Sequence, residues 1–207
     1  MRDFTIVAVS AGLGKPSSTR LLADRLGEAT VNALKAHGAN AKVENIELRD
    51  IAHDVVNTML TGFPSGAMPE VLDKVTGADG LIAVTPVFTT SYSGLFKSFV
   101  DVIDPESLTG MPVLLGATGG TARHSLTLEY AMRPLFTYLH ADVVTTSVFA
   151  ATDDWAGEAD TVNPLPKRIE RAGGELAARI AGSRHRGPAG LYDDVPSFED
   201  MLGGEGR

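Results

Sequence analysis

The sequence predicts a doubly wound α/β domain with one five-stranded parallel sheet in the order 2-1-3-4-5 and helices on both faces. Short apolar runs alternate with segments of helical periodicity along the 207 residues, as in consecutive βαβ units. Two of these runs, residues 81–84 and 112–115, are almost continuously apolar, which is typical of central strands covered on both faces. The first run leads directly into a loop rich in glycine and hydroxyl side chains, a pattern that favours anion binding.

The first strand and the first helix have the clearest signals. β-branched side chains dominate the apolar run at residues 4–9, which predicts a buried strand. Apolar residues then recur at spacings of four, three and four, which predicts a helix over residues 19–36. These helical positions are Leu22, Leu26, Ala29 and Ala33.

The remaining elements follow from further apolar runs, each separated from the next by enough residues for a helix. The predicted strands after the first are residues 42–47, 80–85, 111–117 and 142–148. The predicted helices after the first are residues 51–60, 68–76, 95–103, 125–139 and 167–181. Pro134 lies inside the helix at 125–139 and removes a backbone hydrogen bond there, so we expect a bulge or kink nearby.

Residues 1–186 form a single domain in this prediction, and residues 187–207 form a C-terminal tail. The tail is rich in glycine, proline and acidic residues, but it keeps two apolar pieces at residues 191–192 and 198–202. Such pieces indicate that the tail packs against either its own domain or a neighbouring subunit, and the sequence does not choose between them.

Composition narrows the functional classes. The formal net charge is −8 and no concentrated basic face is visible, so we expect no nucleic-acid binding. The absence of cysteine excludes disulfides, thiolate nucleophiles and Cys-ligated metal centres, and we predict no metal site. No segment approaches the roughly 20 apolar residues of a transmembrane helix, and the first apolar run is too short for a signal peptide. We therefore expect a cytoplasmic protein without membrane association.

The first candidate site is the loop and helix start at residues 10–20. Backbone N–H groups at a helix N-terminus lack partners within the helix and stabilise a bound anion, and hydroxyl groups at Ser17, Ser18 and Thr19 can add donors. The spacing of Gly12 and Gly14 fits neither a P-loop nor a dinucleotide fingerprint, so the phosphate of a mononucleotide fits better. The alternative is an ordinary N-cap without a ligand.

Two further loops follow the third and fourth predicted strands. Residues 85–94 combine Phe88 and Tyr92 with hydroxyl side chains, a surface that suits a planar heteroaromatic ring unless the two rings only pack between loop and helix. Gly119 and Gly120 let the backbone approach a ligand and donate N–H groups to a ring edge, unless they form a plain turn. Because the carboxyl ends of parallel strands meet at one edge, the three loops should converge on one ligand.

The three loops match the phosphate, the dimethylbenzene side and the pyrimidine side of FMN. At this point the chain resembles the NADPH-dependent FMN reductases of flavodoxin-like fold, and especially the small reductases that serve two-component, luciferase-like monooxygenases. The resemblance covers roughly residues 4–183. Its motifs are Ser10 with residues 16–19, residues 85–88 with 92–97, Gly119 and Gly120 with His124, and residues 129–134.

The resemblance implies a role for each loop. The residues that would hold the phosphate are Ser10, Ser17, Ser18 and Thr19. Those that would line the isoalloxazine ring are Pro86, Val87, Phe88, Thr89, Thr90 and Ser91. Those that would meet its pyrimidine edge are Thr118, Gly119, Gly120 and Thr121.

The chain also departs from the family pattern. Many relatives carry tyrosine where Phe88 stands and an Asn-Gly pair where Thr89 and Thr90 stand. The arginine common in the first loop of many flavin reductases is absent here, which leaves Lys15 or Arg20 as candidate substitutes.

The implied activity is NAD(P)H-dependent FMN reduction, in which hydride passes from NADPH, or NADH, to FMN and the reduced FMN is supplied to a flavin-dependent monooxygenase. No catalytic side chain is expected, because the cofactors carry the chemistry. Two alternatives stay open. One is an enzyme that keeps FMN tightly bound and reduces a quinone, azo dye or metal oxyanion, and the other is a flavodoxin-like electron carrier.

The resemblance extends to assembly. In relatives with a similar Tyr-Ala-x-x-Pro stretch, the helix that carries it forms the oligomer interface and can contain a π-bulge. The same stretch here begins at Tyr130 and ends at Pro134, so the resemblance implies a homodimer or homotetramer with Tyr130 at the interface.

Overall fold

The computed structural model of the protein describes residues 3–156, 160–183 and 185, and these contain the predicted parallel sheet. Its strands, in chain order, are β1 (Asp3–Ser10), β2 (Asn40–Glu47), β3 (Gly80–Phe88), β4 (Ser91–Tyr92), β5 (Pro112–Gly119), β6 (Asp142–Val143) and β7 (Val148–Ala151). Strands β2, β1, β3 and β5 pair in parallel in that order, and β6 and β7 both pair with the other side of β5. The doubly wound α/β class is confirmed.

The predicted count of five strands is wrong, because the last strand is interrupted and a hairpin adds β4. β6 pairs with the beginning of β5 and β7 with its end. Between them, the backbone bonds to side chains of other elements. Arg133 donates to the carbonyl oxygens of Val144 and Thr145 at 3.1 Å each, and the carboxylate of Glu175 accepts the N–H of Thr146 at 2.7 Å.

Seven α-helices lie within the described part of the chain. They are α1 (Ser18–Ala36), α2 (Ala52–Thr61), α3 (Met68–Thr76), α4 (Gly94–Asp101), α5 (Arg133–Tyr138), α6 (Thr152–Ala156) and α7 (Leu165–Gly182). The predictions at 19–36, 51–60, 68–76, 95–103 and 167–181 match α1, α2, α3, α4 and α7 to within two residues at each end. The short helix α6 has no counterpart among the predictions.

The helix predicted at 125–139 is irregular. A 3₁₀ turn at Ala122–His124 precedes a π-helix at Leu128–Met132, and the chain continues into α5. Pro134 lies in the first turn of α5, directly after the π-helix. The bulge expected near this proline is confirmed, and the π-helix carries Tyr130 with its side chain exposed.

Apolar layers cover both faces of the sheet. Along β1, Phe4 and Ile6 point to the face covered by α1 and α7, whereas Val7 and Val9 point to the face covered by α2, α3, α4 and α5. Because β3 and β5 are buried on both faces in the same way, their sequences are continuously apolar.

No helix in the described ranges is long and apolar enough to cross a membrane. The same residues contain no group of three or more His, Asp or Glu side chains that could hold a metal ion. The tail predicted at residues 187–207 lies outside the described residues.

Candidate nucleotide-binding site

A cavity of about 500 Å³ opens at the carboxyl ends of β1, β3 and β5, where the three predicted loops meet. Small-ligand sites span roughly 300 to 1,000 Å³, so this volume is suitable. The lining residues are Gly12, Leu13, Gly14, Pro16, Ser17, Ser18 and Thr19 from the first loop, Pro86, Val87 and Phe88 from β3, Thr118, Gly119 and Gly120 from β5, and Thr152 and Trp155 from α6. All of these side chains are uncharged.

A larger cavity of about 940 Å³ lies at the opposite edge of the sheet, near the amino ends of β3 and β5. The C-terminal ends of α2, α3 and α4 line it, and the carbonyl groups at such ends disfavour anions. Asp101, Asp104 and Glu106 also face this cavity. Because ligands of doubly wound sheets bind at the carboxyl ends of the strands, the smaller cavity is the better candidate for a nucleotide.

The first loop ends in a capped helix. Ser17 has an extended backbone and its hydroxyl accepts the N–H of Arg20 at 3.2 Å, as an N-cap does. The N–H groups of Ser18 and Thr19 have no partner within the helix, and both residues line the cavity. The two interpretations of this loop are therefore compatible, because the cap occupies one donor and leaves others for an anion.

Glycine at position 12 lets this loop fold closely over the start of α1. A Cβ atom added at Gly12 would lie 2.0 Å from the Oγ of Ser17 and 3.0 Å from the Cβ of Thr19. A side chain at this position would therefore displace either the capping hydroxyl or the loop.

A buried hydroxyl pair joins the first loop to the third. The Oγ1 atoms of Thr19 and Thr118 are 2.8 Å apart, and both side chains are almost fully buried. Each hydroxyl satisfies the other, because a hydroxyl can donate and accept. The pair fixes the start of α1 against the end of β5 directly beneath the cavity.

Two arginines lie behind the first loop. Arg49 donates to the carbonyl oxygen of Gly14 and forms an ion pair with Glu47 at the end of β2. Arg20 binds the same carboxylate at 2.9 Å. The bond from Arg49 therefore ties the first loop to the end of β2, and neither arginine lines the cavity.

Lys15 and Arg20 are the candidates to replace the arginine that is missing from the first loop. Neither of them lines the cavity. The guanidinium of Arg20 also bonds to Asp24 at 2.8 Å, and this bond raises the pKa of Arg20 above its ordinary value. Lys15 is exposed on the first loop, outside the lining. Within the described residues, the cavity lining offers an anion N–H and hydroxyl groups and no charged side chain.

The second loop is a hairpin whose base is pinned by side-chain hydroxyls. The N–H of Ser93 donates to the Oγ1 of Thr85 at 3.0 Å, and the hydroxyl of Ser93 caps α4 by accepting the N–H of Phe96 at 3.2 Å. Phe88, at the end of β3, is 46% exposed, so its ring presents apolar surface to a ligand. Tyr92 instead packs on Phe96, with 6.2 Å between ring centroids.

The turn of this hairpin has a strained backbone. Thr89 and Thr90 have φ angles of 48° and 72°, and a two-residue hairpin turn with positive φ at both positions favours Asn-Gly. For a residue with a Cβ, the left-handed conformation costs about 1–2 kcal/mol. The hydroxyl of Thr127 donates to the carbonyl oxygen of Thr90 at 3.1 Å.

The third loop contains two glycines in different surroundings. A Cβ at Gly119 would lie 2.9 Å from the ring of Phe149, whereas a Cβ at Gly120 would meet nothing within 4 Å. Packing therefore requires glycine at position 119, and Gly120 borders open space that a ligand can enter. Thr121 caps the following 3₁₀ turn by accepting the N–H of Arg123 at 3.4 Å.

The predicted site residues divide into two groups. Those that line the cavity are Ser17, Ser18, Thr19, Pro86, Val87, Phe88, Thr118, Gly119 and Gly120, and those outside it are Ser10, Thr89, Thr90, Ser91 and Thr121. Ser10 is only 1% exposed, at the end of β1. Thr90 borders a neighbouring pocket of about 240 Å³ together with His124 and Tyr130.

Sequence reasoning missed the contribution of α6. Thr152 and Trp155 line the cavity, and the guanidinium carbon of Arg25 lies 5.3 Å from the centroid of the Trp155 ring. An ion pair between Asp154 and Arg168 holds the helix against α7. The available signal was positional, because Thr152 directly follows the last strand, at the same edge as the three recognised loops.

These features suit FMN. The uncapped N–H groups of α1 can take its phosphate, and the exposed face of Phe88 can cover part of a planar ring. The open space beside Gly120 admits the ring edge, and the cavity volume suits a mononucleotide.

Known proteins with similar sequences and structures were identified. The profile of the NADPH-dependent FMN reductase family matches residues 4–156. An FMN reductase (NADPH) from Pseudomonas aeruginosa is 37% identical over 183 residues, which cover 87% of this chain and 94% of that protein. The NADH-dependent FMN reductase SfnF from Pseudomonas fluorescens is 36% identical over 184 residues, covering 88% and 94%. The X-ray structure of an oxidoreductase from Corynebacterium diphtheriae has a TM-score of 0.83 and 45% identity, covering 88% of this chain and 99% of that chain.

Fold, cavity and relatives together define a flavodoxin-like flavoprotein with oxidoreductase activity. The chain belongs to the NADPH-dependent FMN reductase family. It is an NAD(P)H:FMN oxidoreductase, with FMN and a reduced nicotinamide nucleotide as its cofactors.

Proposed function

We propose that this reductase binds FMN as an exchangeable substrate and supplies reduced FMN to a flavin-dependent monooxygenase. The observation that carries the proposal is the uncharged lining of the cavity formed by the described residues. The lining offers the phosphate charge-assisted hydrogen bonds from N–H and hydroxyl groups, but no bidentate guanidinium and no ammonium group to form an ion pair. Without such an ion pair, we expect FMN to enter and leave in each catalytic cycle.

At the phosphate end, the proposed ligands are the N–H groups at the start of α1 and the hydroxyls of Ser17, Ser18 and Thr19. Ser10, 1% exposed at the end of β1, stays a predicted phosphate ligand. The bond from Arg49 to Gly14 keeps the loop in position before the ligand arrives.

At the ring end, Pro86, Val87 and Phe88 face the isoalloxazine, with Thr89, Thr90 and Ser91 flanking one edge. Thr118, Gly119, Gly120 and Thr121 lie towards the pyrimidine edge. When bound, FMN accepts hydride from the nicotinamide. N–H groups near Gly119 and Gly120 stabilise negative charge at the pyrimidine edge, and no side chain of the cavity acts as an acid or base.

The first experiment measures flavin content and NAD(P)H oxidation with and without added FMN. We expect the purified protein to hold far less than one FMN per chain and to oxidise NAD(P)H only when FMN is added. Trp155 is the single tryptophan of the chain and lines the cavity, so quenching of its fluorescence reports FMN binding, with Trp155→Phe as the silent control. Retention of one FMN per chain with acceptor-dependent turnover would favour the tightly bound enzyme, and no oxidation would favour the electron carrier.

The second experiment tests release of the product. Under anaerobic conditions, ultrafiltration after NAD(P)H addition should recover reduced FMN in the filtrate, and a two-component monooxygenase should turn over when this reductase replaces its own. Reduced flavin that remains with the protein would contradict the proposed supply to a monooxygenase.

Two further expectations stay predictions: the cytoplasmic location, and assembly as a homodimer or homotetramer. Exposed apolar side chains at Leu126, Tyr130 and Tyr138 support the last of these, because they lie along the helix that the resemblance assigns to the interface. Sedimentation of Tyr130→Ser beside the unmodified chain tests that assignment.

A further inference from the structure

The hairpin turn between β3 and β4 lacks strong support of its own. Both of its residues, Thr89 and Thr90, have positive φ, a backbone conformation that β-branched residues rarely adopt. The return strand β4 is only two residues long, so the hairpin ladder contributes little. The lowest-strain choice for this turn is Asn-Gly, and two threonines favour other turn types.

One side chain from outside the hairpin supports the turn. Thr127 is 7% exposed at the start of the π-helix, and its hydroxyl donates to the carbonyl oxygen of Thr90 at 3.1 Å. The base of the hairpin is pinned separately, by the bond between Ser93 and Thr85. A hydroxyl therefore holds the hairpin at each end, and the one at the tip comes from 37 residues away.

We propose that Thr127 is a positioning residue for the flavin ring, because it holds the Thr89-Thr90 turn in the conformation that presents Phe88 to the cavity. The inference rests on the proposed flavin site. Phe88 directly precedes the turn and lines the cavity, so relaxation of the turn moves its ring and the backbone beside it. Saturating FMN restores the turn by binding, and the loss of Thr127 therefore raises the KM for FMN more than it lowers kcat.

The main variant is Thr127→Val, which removes the hydroxyl and keeps the branched shape. We expect the KM for FMN to rise about five-fold, the effect of one lost hydrogen bond, while kcat changes by less than about two-fold. Thr127→Ser keeps the hydroxyl and should restore the original KM. Thr137→Val is the matched control, because Thr137 is exposed on α5 and lines neither the cavity nor the hairpin.

A second experiment repeats the Thr127 substitution in a protein whose turn residues have been changed. The double variant Thr89→Asn with Thr90→Gly introduces residues that adopt positive φ readily, so it should raise Tm. In this background Thr127→Val should leave the KM for FMN unchanged, because the turn no longer needs the hydroxyl. This loss of coupling is the signature of positioning through the turn, since a general structural defect would persist in both backgrounds.

Two outcomes would overturn the inference: an equal rise in KM in both backgrounds, and no rise in either. Ser18→Ala distinguishes failure of the inference from failure of the proposed site. If Ser18→Ala raises the KM for FMN while Thr127→Val does not, the flavin site stands and the role of Thr127 is wrong. If neither variant changes the KM although Thr127→Val lowers Tm, the flavin binds elsewhere and both proposals fail.

Discussion

The first loop at residues 12–18, which we propose to bind phosphate and call the phosphate loop, and the hairpin turn at Thr89-Thr90 follow neighbouring strands of one sheet, but their backbones are stabilised in opposite ways. In the phosphate loop, glycine occupies the crowded position, and a Cβ at Gly12 would lie 2.0 Å from Ser17. In the hairpin turn, β-branched residues occupy positions that favour asparagine and glycine, and Thr127 supports them from another element. The first backbone has the residue type that its conformation requires, with tertiary contacts in addition, whereas the second lacks the favoured residue types and depends on a tertiary contact.

This difference separates the part of the site that is proposed to anchor the phosphate from the part that presents a surface to the flavin ring. The groups proposed to hold the phosphate are fixed before FMN arrives, by the cap at Ser17, the Thr19–Thr118 pair and the bond from Arg49. The ring side depends on a turn that is strained and that the hydroxyl of Thr127 supports. We therefore expect Gly12→Ala in the first loop to raise the KM for FMN more than Thr127→Val does at the hairpin.

The largest effect is expected from Gly12→Ala. The new methyl group displaces the Ser17 cap or the loop, so the KM for FMN should rise about ten-fold, which corresponds to ~1.4 kcal/mol. Steady-state kinetics with varied FMN measure this. The control is Gly174→Ala, because Gly174 lies within α7 with nothing within 4 Å of an added Cβ. That control should raise Tm through helix propensity and leave the KM unchanged, and an unaltered KM in Gly12→Ala would contradict close packing of the loop.

The second prediction concerns the stability of the fold: Thr19→Val should lower the free energy of unfolding. The substitution leaves the buried hydroxyl of Thr118 without its partner, which costs about 1–3 kcal/mol in the free energy of unfolding. Urea unfolding measures the cost. The double variant Thr19→Val with Thr118→Val should lose less than the sum of the two single variants, because it leaves no unpaired hydroxyl. Additive losses would show that the two hydroxyls do not bond.

A smaller effect is expected from Arg49→Met, which keeps the apolar stem and removes the bond to Gly14. The loop then loses its support from the end of β2, and the KM for FMN should rise about three-fold, within the range of one weak hydrogen bond. Arg179→Met is the matched control, because Arg179 pairs with Asp142 on the exposed surface of α7. Equal KM values in the two variants would exclude a role for Arg49 in holding the loop.

The smallest effect is expected from Glu129→Gln in the π-helix, as a change in the pH dependence of Tm. The hydrogen bond from Arg133 holds the pKa of Glu129 below its ordinary value. The ionised carboxylate therefore stabilises the fold at pH values above about 4.3, and this stabilisation is lost as pH falls through the folded-state pKa. In Glu129→Gln, Tm should fall less steeply between about pH 6 and pH 3. Parallel Tm curves for the two proteins would show that this pair contributes nothing.

Much of the fold could be predicted because its signals are local. β1 and α1 follow from β-branched content and helical spacing, and the continuous apolar runs of β3 and β5 follow from burial on both faces. The last strand is different, because side chains of Arg133 and Glu175 interrupt it from other helices. A pattern of strand-forming residues at 142–148 contains no trace of those partners.

The candidate site divides in the same way. Its three loops were predictable, because each directly follows a strand and the carboxyl ends of parallel strands meet at one edge. The wall formed by Trp155 was missed, since α6 is short and has no apolar periodicity. The ion pair of Arg20 with Glu47 was also hidden, because Glu47 lies 27 residues away at the end of β2.

The sequence by itself determined the doubly wound class, the positions of the central strands and the three loops, because periodicity, β-branching and glycine placement act over a few residues. Only the tertiary structure decided which cations stay outside the cavity, where the last strand breaks, and how Thr127 supports the strained turn at Thr89 and Thr90. Each of these depends on hydrogen bonds between residues far apart in the chain, and such partners leave no local pattern.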